Sequence, residues 1–129
     1  MTTERWKPIP GFDGYEASSE GYIRSYFKSI GRRGWHRAET PQRILAQHAN
    51  DRGRKFVVLA GNDGRHHSAQ VHRLITLAFY GKCPDGMEVC HNDGNCRNNR
   101  LSNLRYGTRA ENLKDKTDAE ECGLIGWYL

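Results

Sequence analysis

Apolar and polar positions in the first half of the chain alternate over short runs, which predicts strands rather than helices. Residues 4–27 form several such runs interrupted by glycines, a pattern typical of short strands separated by turns. Residues 54–60 and 65–71 are two further strand-like runs. The Asn-Asp-Gly sequence at 62–64 favours a hairpin turn between them, because Asn and Gly tolerate positive φ.

The pattern changes to helical spacing at residue 71. Over residues 71–80 the apolar side chains recur at intervals of three and four and share one face. These side chains are Val71, Leu74, Ile75, Ala78 and Phe79. Pro84 and Gly86 follow and are expected to end the helix.

A strand, a polar loop, a second strand and a final helix are predicted next. The strand segments are residues 87–91 and 104–106. Thr108 is placed to cap a helix over about 109–117, and Glu111 at the third helical position completes a capping box. The last residues, 118–129, are acidic and then apolar, and form a C-terminal tail.

The segment EVCHNDGNCRNNRLSNLRYGTRAEN, residues 88–112, has too few apolar side chains to be held by hydrophobic packing. It contains six Asn and four Arg. Asn and Asp side chains can instead hydrogen-bond the backbone and fix a loop in one shape. The asparagines are therefore expected to support this loop.

The charge of the chain favours a polyanionic partner. Lys and Arg number 20 against 15 Asp and Glu, a net charge of +5, and neutralising phosphates releases counterions. Residues 28–43 concentrate basic side chains around Trp35: Lys28, Arg32, Arg33, His36, Arg37 and Arg43. A solvated loop is the default interpretation of this stretch, and contact with a nucleic-acid backbone is the alternative.

The composition argues against a membrane protein and a disulfide framework. No apolar run is long enough to span a bilayer and the N-terminus lacks the apolar segment of a signal peptide, so a cytoplasmic location is expected. Disulfides are rare there. Cys83, Cys90 and Cys96 are spaced C-x6-C-x5-C, with Cys122 distant. Structural zinc sites use tighter pairs, so structural zinc is not expected.

Three residues of the polar segment suit a hydrolytic site. His91 ends the first strand, and histidine titrates near neutral pH, which suits a general base. Asn103 and Asn112 offer amide groups that can orient an imidazole or ligate a hard divalent cation. Four arginines lie around them and could hold phosphates: Arg97, Arg100, Arg105 and Arg109.

This ordered set resembles the His-Asn-His (HNH) endonuclease motif, and most of all that of phage homing endonucleases. The matching residues are His91, Asp93, Gly94, Asn95, Asn98, Asn99, Asn103, Leu104, Arg105 and Asn112. The preceding VHRLITLAF is similar to the helix that leads into the motif, and WKPIPGFDGYEASSEGYIRS to a small module that often precedes the nuclease. The resemblance covers about residues 4–116.

The resemblance implies an α+β fold with a ββα-metal nuclease core. A β-rich DNA-binding module would occupy residues 1–50, and the hairpin, helix and nuclease core residues 51–117. His91 would activate the water that attacks the scissile phosphate, and Asn103 would hold His91 in orientation through the loop. Asn112 would ligate one divalent metal, Mg²⁺ with Mn²⁺ as the alternative.

The implied partner is double-stranded DNA, nicked on one strand by each active site of a monomeric protein. The arginines expected to contact it are Arg32, Arg33, Arg37, Arg97, Arg100, Arg105 and Arg109. The location would be the cytoplasm, that of the host cell if a phage encodes the chain. Related homing enzymes often continue into a further DNA-reading domain, so cutting with modest sequence preference is expected here.

One position departs from the family pattern. Homing enzymes of this type place an Asp, a metal ligand, immediately before the catalytic His, whereas this chain has Cys90. Sulfur is a soft ligand that Mg²⁺ does not favour. Either Cys90 takes the Asp role, with weak Mg²⁺ binding or a preference for Mn²⁺, Ni²⁺ or Zn²⁺, or Asp93, water or DNA phosphate completes the ligand shell.

Two other functions stay open from the sequence. The first is a DNA-binding protein whose nuclease site has decayed, with Cys90 as the sign of decay. The second is a zinc-stabilised interaction module without catalysis. Plasmid cleavage in the presence of different metals separates all three.

Overall fold

The computed structural model describes residues 3–114. The strands of this part of the chain are β1 (Trp6–Pro8), β2 (Tyr15–Ser18), β3 (Ile23–Ser25), β4 (Phe27–Ser29), β5 (Trp35–Arg37), β6 (Arg43–Ile44), β7 (His48–Ala49), β8 (Lys55–Ala60), β9 (His66–Gln70), β10 (Glu88–His91) and β11 (Leu104–Gly107). Helix α1 is Val71–Tyr80, and residues 109–114 form α2 up to the last described residue. Short 3₁₀ helices occupy Gly31–Arg33 and Leu101–Asn103.

The strands form four small antiparallel sheets. Strands β1, β2, β3 and β6 make the largest, in the order β1-β2-β3-β6. Strands β7, β8 and β9 make a second, and the pairs β4–β5 and β10–β11 make the other two. The N-terminal half is thus β-rich, as its alternating pattern predicts.

The predicted hairpin and helix are confirmed closely. Strands β8 and β9 pair from Phe56↔Gln70 to Ala60↔His66, and the turn between them has Gly64 at φ +78°. The glycine of the Asn-Asp-Gly sequence adopts this positive φ without steric cost, as the prediction of a turn requires. Helix α1 follows β9 directly and ends at Gly81, whose φ is +85°.

Within residues 28–43 the segment up to Arg37 is a hairpin with β4 rather than a loop, whereas the expected exposure to solvent is present along nearly the whole stretch. Strand β4 pairs with β5 in the register Phe27↔Arg37 and Ser29↔Trp35. The connection turns through Gly31 and Gly34, both with positive φ. The side chains of β5 are all exposed, so the segment has too little apolar patterning to be recognised as a strand from sequence.

One hydrophobic core joins the N-terminal sheet to the C-terminal half. Its buried members are Ile9, Tyr15, Ala17, Ile23, Leu45, Val57, Leu59, Val71, Leu74, Ile75, Leu101 and Leu104. Helix α1 lies in the middle and contacts β1, β2, β8, β9, β10 and β11. The Tyr15 hydroxyl also accepts a hydrogen bond of 3.0 Å from the Ala60 backbone N–H. The two halves therefore pack on the same helix.

The predicted domain boundary at residue 50 falls just after β7. Strand β7 pairs with β8, which lies beyond that boundary, so the boundary divides one sheet. Among the described residues no helix is long and apolar enough to cross a membrane. The predicted tail, 118–129, and the end of the last predicted helix, 115–117, lie outside the described residues.

Candidate active site

The polar segment folds into a hairpin followed by a helix. Strands β10 and β11 pair antiparallel, with Cys90↔Arg105 and His91↔Leu104 opposite each other. Helix α2 begins after Thr108, whose hydroxyl accepts a hydrogen bond from the Glu111 N–H (3.3 Å). The Glu111 carboxylate in turn accepts from the Thr108 N–H (3.1 Å), which confirms the predicted capping box.

Asn103 clamps the loop between β10 and β11. Its Oδ1 accepts the Asp93 N–H at 3.0 Å. Its Nδ2 donates to the Asp93 carboxylate at 2.9 Å and to the Asn98 carbonyl at 2.8 Å. Asn103 is buried, and one amide thereby ties both sides of the loop together.

Asp93 is the ionic centre of this clamp. Partial burial alone would raise the pKa of its carboxyl group, but hydrogen bonds from the Asn98 side chain, the Asn95 N–H and the Asn103 side chain lower the pKa below its usual value. Asp93 is thus a carboxylate at neutral pH and its oxygens are engaged by loop donors. In this arrangement it supports the loop from within.

His91 is held by Asn99 rather than directly by Asn103. Its Nε2 lies 2.8 Å from the Asn99 Oδ1, and the two residues are 8% and 5% exposed. With the Asn99 amide in this orientation Oδ1 accepts the hydrogen bond, which assigns the proton to Nε2 and the basic lone pair of the neutral ring to Nδ1. Asn99 belongs to the matched motif, but nothing in the sequence distinguishes it from the neighbouring asparagines as the partner of His91.

His91 and Asn112 line the same cleft. This cleft has a volume of about 340 Å³, and Glu88 and His72 also line it. Four arginine side chains line it as well: Arg52, Arg54, Arg73 and Arg109. Helix α2 thus brings Asn112 back across the strand pair, as predicted, and the surroundings are strongly cationic.

The basic lining comes from both halves of the molecule. Arg52 and Arg54 lie between β7 and β8, Arg73 lies on α1, and Arg109 begins α2. Arg109 was predicted to contact DNA, whereas the other three were missed. No local signal marks them, because the packing of the β7–β8 turn against the polar loop brings Arg52 and Arg54 to the cleft, and the position of α1 brings Arg73. The Cys96 thiol in that loop donates to the Arg52 carbonyl at 3.6 Å.

The other predicted DNA-contacting arginines lie outside the cleft. Arg105 donates to the Asn92 side chain, and Arg100 pairs with Glu20 at 3.6 Å. Arg97 is exposed, with its guanidinium beside Gly53. The remaining three are also exposed and lie on the β4–β5 hairpin: Arg32, Arg33 and Arg37.

Cys90 does not line the cleft. Its side chain is 0% exposed. A Cβ placed on Gly107 would lie only 2.9 Å from the Cys90 Sγ, so the thiol is packed against the glycine of the opposite strand. Cys90 therefore stands at the position where the resemblance implies an Asp ligand, but it is buried against β11.

The three cysteines of the described segment do not converge. The Cys83 thiol donates hydrogen bonds to the carbonyls of Pro84 and Met87. The Cys96 thiol donates one to the Arg52 carbonyl in the β7–β8 turn. Within residues 3–114 no group of three or more His, Cys, Asp or Glu side chains is placed to hold a metal. Cys122, the fourth cysteine, lies outside these residues.

The cleft nevertheless offers donors that suit a hard cation. The Asn112 amide and the Glu88 carboxylate both line it, and the Asn112 Nδ2 donates to the Glu88 Oε1. Amide and carboxylate oxygens are the ligands that Mg²⁺ and Mn²⁺ prefer. The residues present therefore fit the divalent metal that the resemblance implies.

His72 lies beside His91 and is neutral at physiological pH. The two ring centroids are 5.3 Å apart, and His72 is 7% exposed at the start of α1. Burial, together with the positive charge of nearby His91, Arg73 and Arg54, lowers the pKa of His72 to about 3. A neutral His72 adds no charge next to His91 when His91 takes up a proton.

We expect His72 to make the protein less stable in acid. The unfolded chain protonates His72 near pH 6.5, but the folded protein does so only near pH 3. The free energy of unfolding should therefore fall as the pH drops below 6.5, by at most about 1.4 kcal/mol per pH unit from this residue. Urea unfolding at pH 7 and pH 5 should show a smaller loss for His72→Gln than for the wild type.

The exposed His66 supplies the control, since His66→Gln should retain the wild-type pH dependence. Equal losses in wild type and His72→Gln would show that His72 accepts a proton in the folded state without penalty.

Two family models match the chain. The HNH endonuclease model matches residues 69–114, and the NUMOD4 motif matches residues 4–60. The first span begins at the end of β9 and contains α1, the β10–β11 hairpin and the start of α2. The second contains the N-terminal sheet and extends to the end of β8.

Two known proteins that are similar to the chain are also described as endonucleases. The DNA endonuclease I-HmuI of Bacillus phage SP01 is 29% identical over 112 residues, 86% of this chain and 56% of the relative. An uncharacterised HNH endonuclease of Acanthamoeba polyphaga mimivirus is 31% identical over 121 residues, 90% of this chain and 27% of the relative. The chain thus spans little more than half of one relative and about a quarter of the other.

A solved structure supports the fold. It concerns DNA binding and cleavage by the HNH homing endonuclease I-HmuI, and it matches with a TM-score of 0.67 at 27% identity. The match covers 94% of this chain and 60% of the solved one. It confirms the predicted α+β fold with an HNH core. The chain therefore contains an HNH endonuclease domain, residues 69–114, preceded by a NUMOD4 motif, residues 4–60.

Proposed function

We propose that the protein is a divalent-metal-dependent DNA endonuclease that hydrolyses phosphodiester bonds and nicks one strand at each active site. The observation that carries the proposal is the shared cleft. It combines a positioned imidazole, oxygen donors for a hard cation and four arginines that can neutralise a phosphate backbone. A substrate phosphate in this cleft would meet all three at once.

His91 serves as the general base in this proposal. Its Nδ1 takes a proton from a water molecule as the oxygen of that water attacks phosphorus, and the ring becomes an imidazolium. The bond from Nε2–H to Asn99 Oδ1 holds the ring in the tautomer that this transfer needs and stabilises the charged form afterwards. His72 beside it is neutral and therefore does not repel the positive charge that forms on His91.

Asn103 acts on His91 through the loop. By fixing the positions of Asp93 and Asn98, it sets the path of the chain that leads to Asn99. Orientation of this kind matters because a displacement of about 1 Å at a reacting group can lower a rate by roughly a hundredfold. Asn103 is therefore a positioning residue.

The cleft would hold the metal through Asn112. A bound divalent cation would stabilise negative charge on the phosphate and on the leaving 3′ oxygen. We propose Mg²⁺ as this cation, with Mn²⁺ as the alternative. Hard oxygen donors support this choice over a zinc site of cysteines.

Double-stranded DNA is the proposed substrate and partner. The exposed arginines of the β4–β5 hairpin extend the basic surface beyond the cleft, and phosphate contacts of this kind give affinity rather than sequence preference. One cleft with one His91 in the described part of each chain favours a monomer that nicks a single strand. Such an enzyme would act in the cytoplasm that holds its DNA, that of the host if a phage encodes it.

A plasmid assay tests the proposal. Supercoiled plasmid incubated with the protein should convert to the open-circular form with Mg²⁺ or Mn²⁺, and should stay supercoiled with EDTA. His91→Ala should lower the rate by at least roughly a hundredfold, because the general base is lost, while gel-shift binding is retained.

The alternatives give different results in the same assay. A decayed DNA-binding protein would shift DNA on a gel yet leave the plasmid intact with every metal. A zinc-stabilised module would contain stoichiometric zinc and unfold with chelator. Undiminished nicking by His91→Ala would exclude the role assigned to His91.

The arginines of the cleft should contribute measurably to DNA binding. Each phosphate contact adds about 0.9 to the slope of log K against log salt concentration. Arg54→Ala should therefore weaken binding and lower that slope by about one, as measured by fluorescence anisotropy with a labelled duplex over a series of salt concentrations.

Arg65 provides the matched control. It is an exposed arginine in the turn of the β8–β9 hairpin, at the opposite end of β8 from Arg54. Arg65→Ala should leave the slope unchanged. A slope that falls equally in both variants would place the DNA elsewhere than in the cleft.

A further inference from the structure

Glu88 is the acidic side chain in the basic cleft. Among the described residues that line the cleft, four are arginines and Glu88 alone is acidic. A carboxylate here repels the phosphate that the arginines attract, so it reduces affinity unless another positive charge lies between the two anions. Its presence needs a physical reason.

The position of Glu88 supplies that reason. Residues two apart on a strand share a face, so Glu88 and Cys90 lie on the same face of β10. Cys90 is fully buried against Gly107, whereas Glu88 is half-buried and lines the cleft with His91. The accessible acidic group is thus displaced by two residues along the strand from the sequence position just before His91.

Glu88 and Asn112 already converge. They are 24 residues apart in the chain, yet the Asn112 Nδ2 donates to the Glu88 Oε1 across the β10–α2 contact. Rotation of the Asn112 amide by half a turn exchanges Nδ2 for Oδ1 with almost no change of shape. That rotation would turn the pair into two oxygen ligands directed at one point.

We propose that Glu88, together with Asn112, binds the divalent metal, and that Cys90 is a packing residue rather than a ligand. The inference rests on the proposed metal-dependent nuclease and names the anionic ligand of its site. A dication between Glu88 and a DNA phosphate removes their repulsion. Carboxylate and amide oxygens suit Mg²⁺ and Mn²⁺, whereas a buried thiol suits neither.

Titration of the 129-residue chain with Mn²⁺, followed by electron paramagnetic resonance, tests this assignment. Glu88→Gln keeps the volume of the side chain and an oxygen that accepts from Asn112, but it loses the charge. It should weaken Mn²⁺ binding by at least roughly tenfold, the lower limit seen when even outer-shell partners of a metal are removed. Cys90→Ala should leave Mn²⁺ binding unchanged, with circular dichroism to confirm that both variants fold.

Glu111→Gln is the matched control for charge. Glu111 lies on α2 next to Asn112 but is exposed, and Gln also completes a capping box. This variant should bind Mn²⁺ as the wild type does. Loss of binding in Cys90→Ala with retention in Glu88→Gln would overturn the proposal, and so would a wild-type protein that binds no Mn²⁺.

A measurement on the wild type removes any dependence on variants that fold poorly. Carbon-13 resonances of the Glu88 side-chain carboxyl should broaden first when Mn²⁺ is added in small amounts, and those of Cys90 Cβ should not shift with Mg²⁺ more than buried neighbours do. A Glu88 carboxyl insensitive to both metals would refute the assignment.

Plasmid nicking measured in parallel separates the two proposals. Nicking by the wild type, with Mn²⁺ binding intact in Glu88→Gln, would overturn only the assignment of Glu88. An intact plasmid with every metal would overturn the nuclease, while the Mn²⁺ titration would still decide whether Glu88 is a ligand.

Discussion

The amide of Asn103 is the contact on which the proposed chemistry depends. The loop between β10 and β11 has almost no apolar side chains, so burial of surface cannot fix its shape. Asn103 accepts the Asp93 N–H and donates to both Asp93 and the Asn98 carbonyl, which closes the loop with hydrogen bonds in a buried setting. Hydrogen bonds to a charged carboxylate are among the stronger ones in proteins, and by fixing the loop they set the position of Asn99, which holds His91 at the cleft.

The shared hydrophobic core gives this loop its electrostatic surroundings. Because α1 packs on the N-terminal sheet and on the β10–β11 hairpin together, the β7–β8 turn reaches the polar loop and supplies Arg52 and Arg54 to the cleft. The same packing buries His72 beside His91 and keeps it neutral. Neither half alone would assemble a site with this charge.

Features that depend on residues close together in the sequence could be predicted. Features that depend on contacts between distant parts of the chain could not. The turn at Gly64, helix α1 and the Thr108–Glu111 capping box each depend on neighbouring residues, and each was found. The choice of Asn99 among six asparagines as the partner of His91 depends on the path of the loop. The burial of Cys90 and the access of the half-buried Glu88 to the cleft depend on how α2 lies across β10, which no spacing rule reveals.

The loop presents His91 to the cleft in a single tautomer, with Nε2 protonated and hydrogen-bonded to Asn99 Oδ1. Nitrogen-15 magnetic resonance of the imidazole rings at neutral pH measures this directly in the wild-type protein. The structure predicts that the proton of His91 resides on Nε2 and that Nδ1 has the shift of an unprotonated nitrogen. A proton on Nδ1, or an even mixture of both tautomers, would contradict the account.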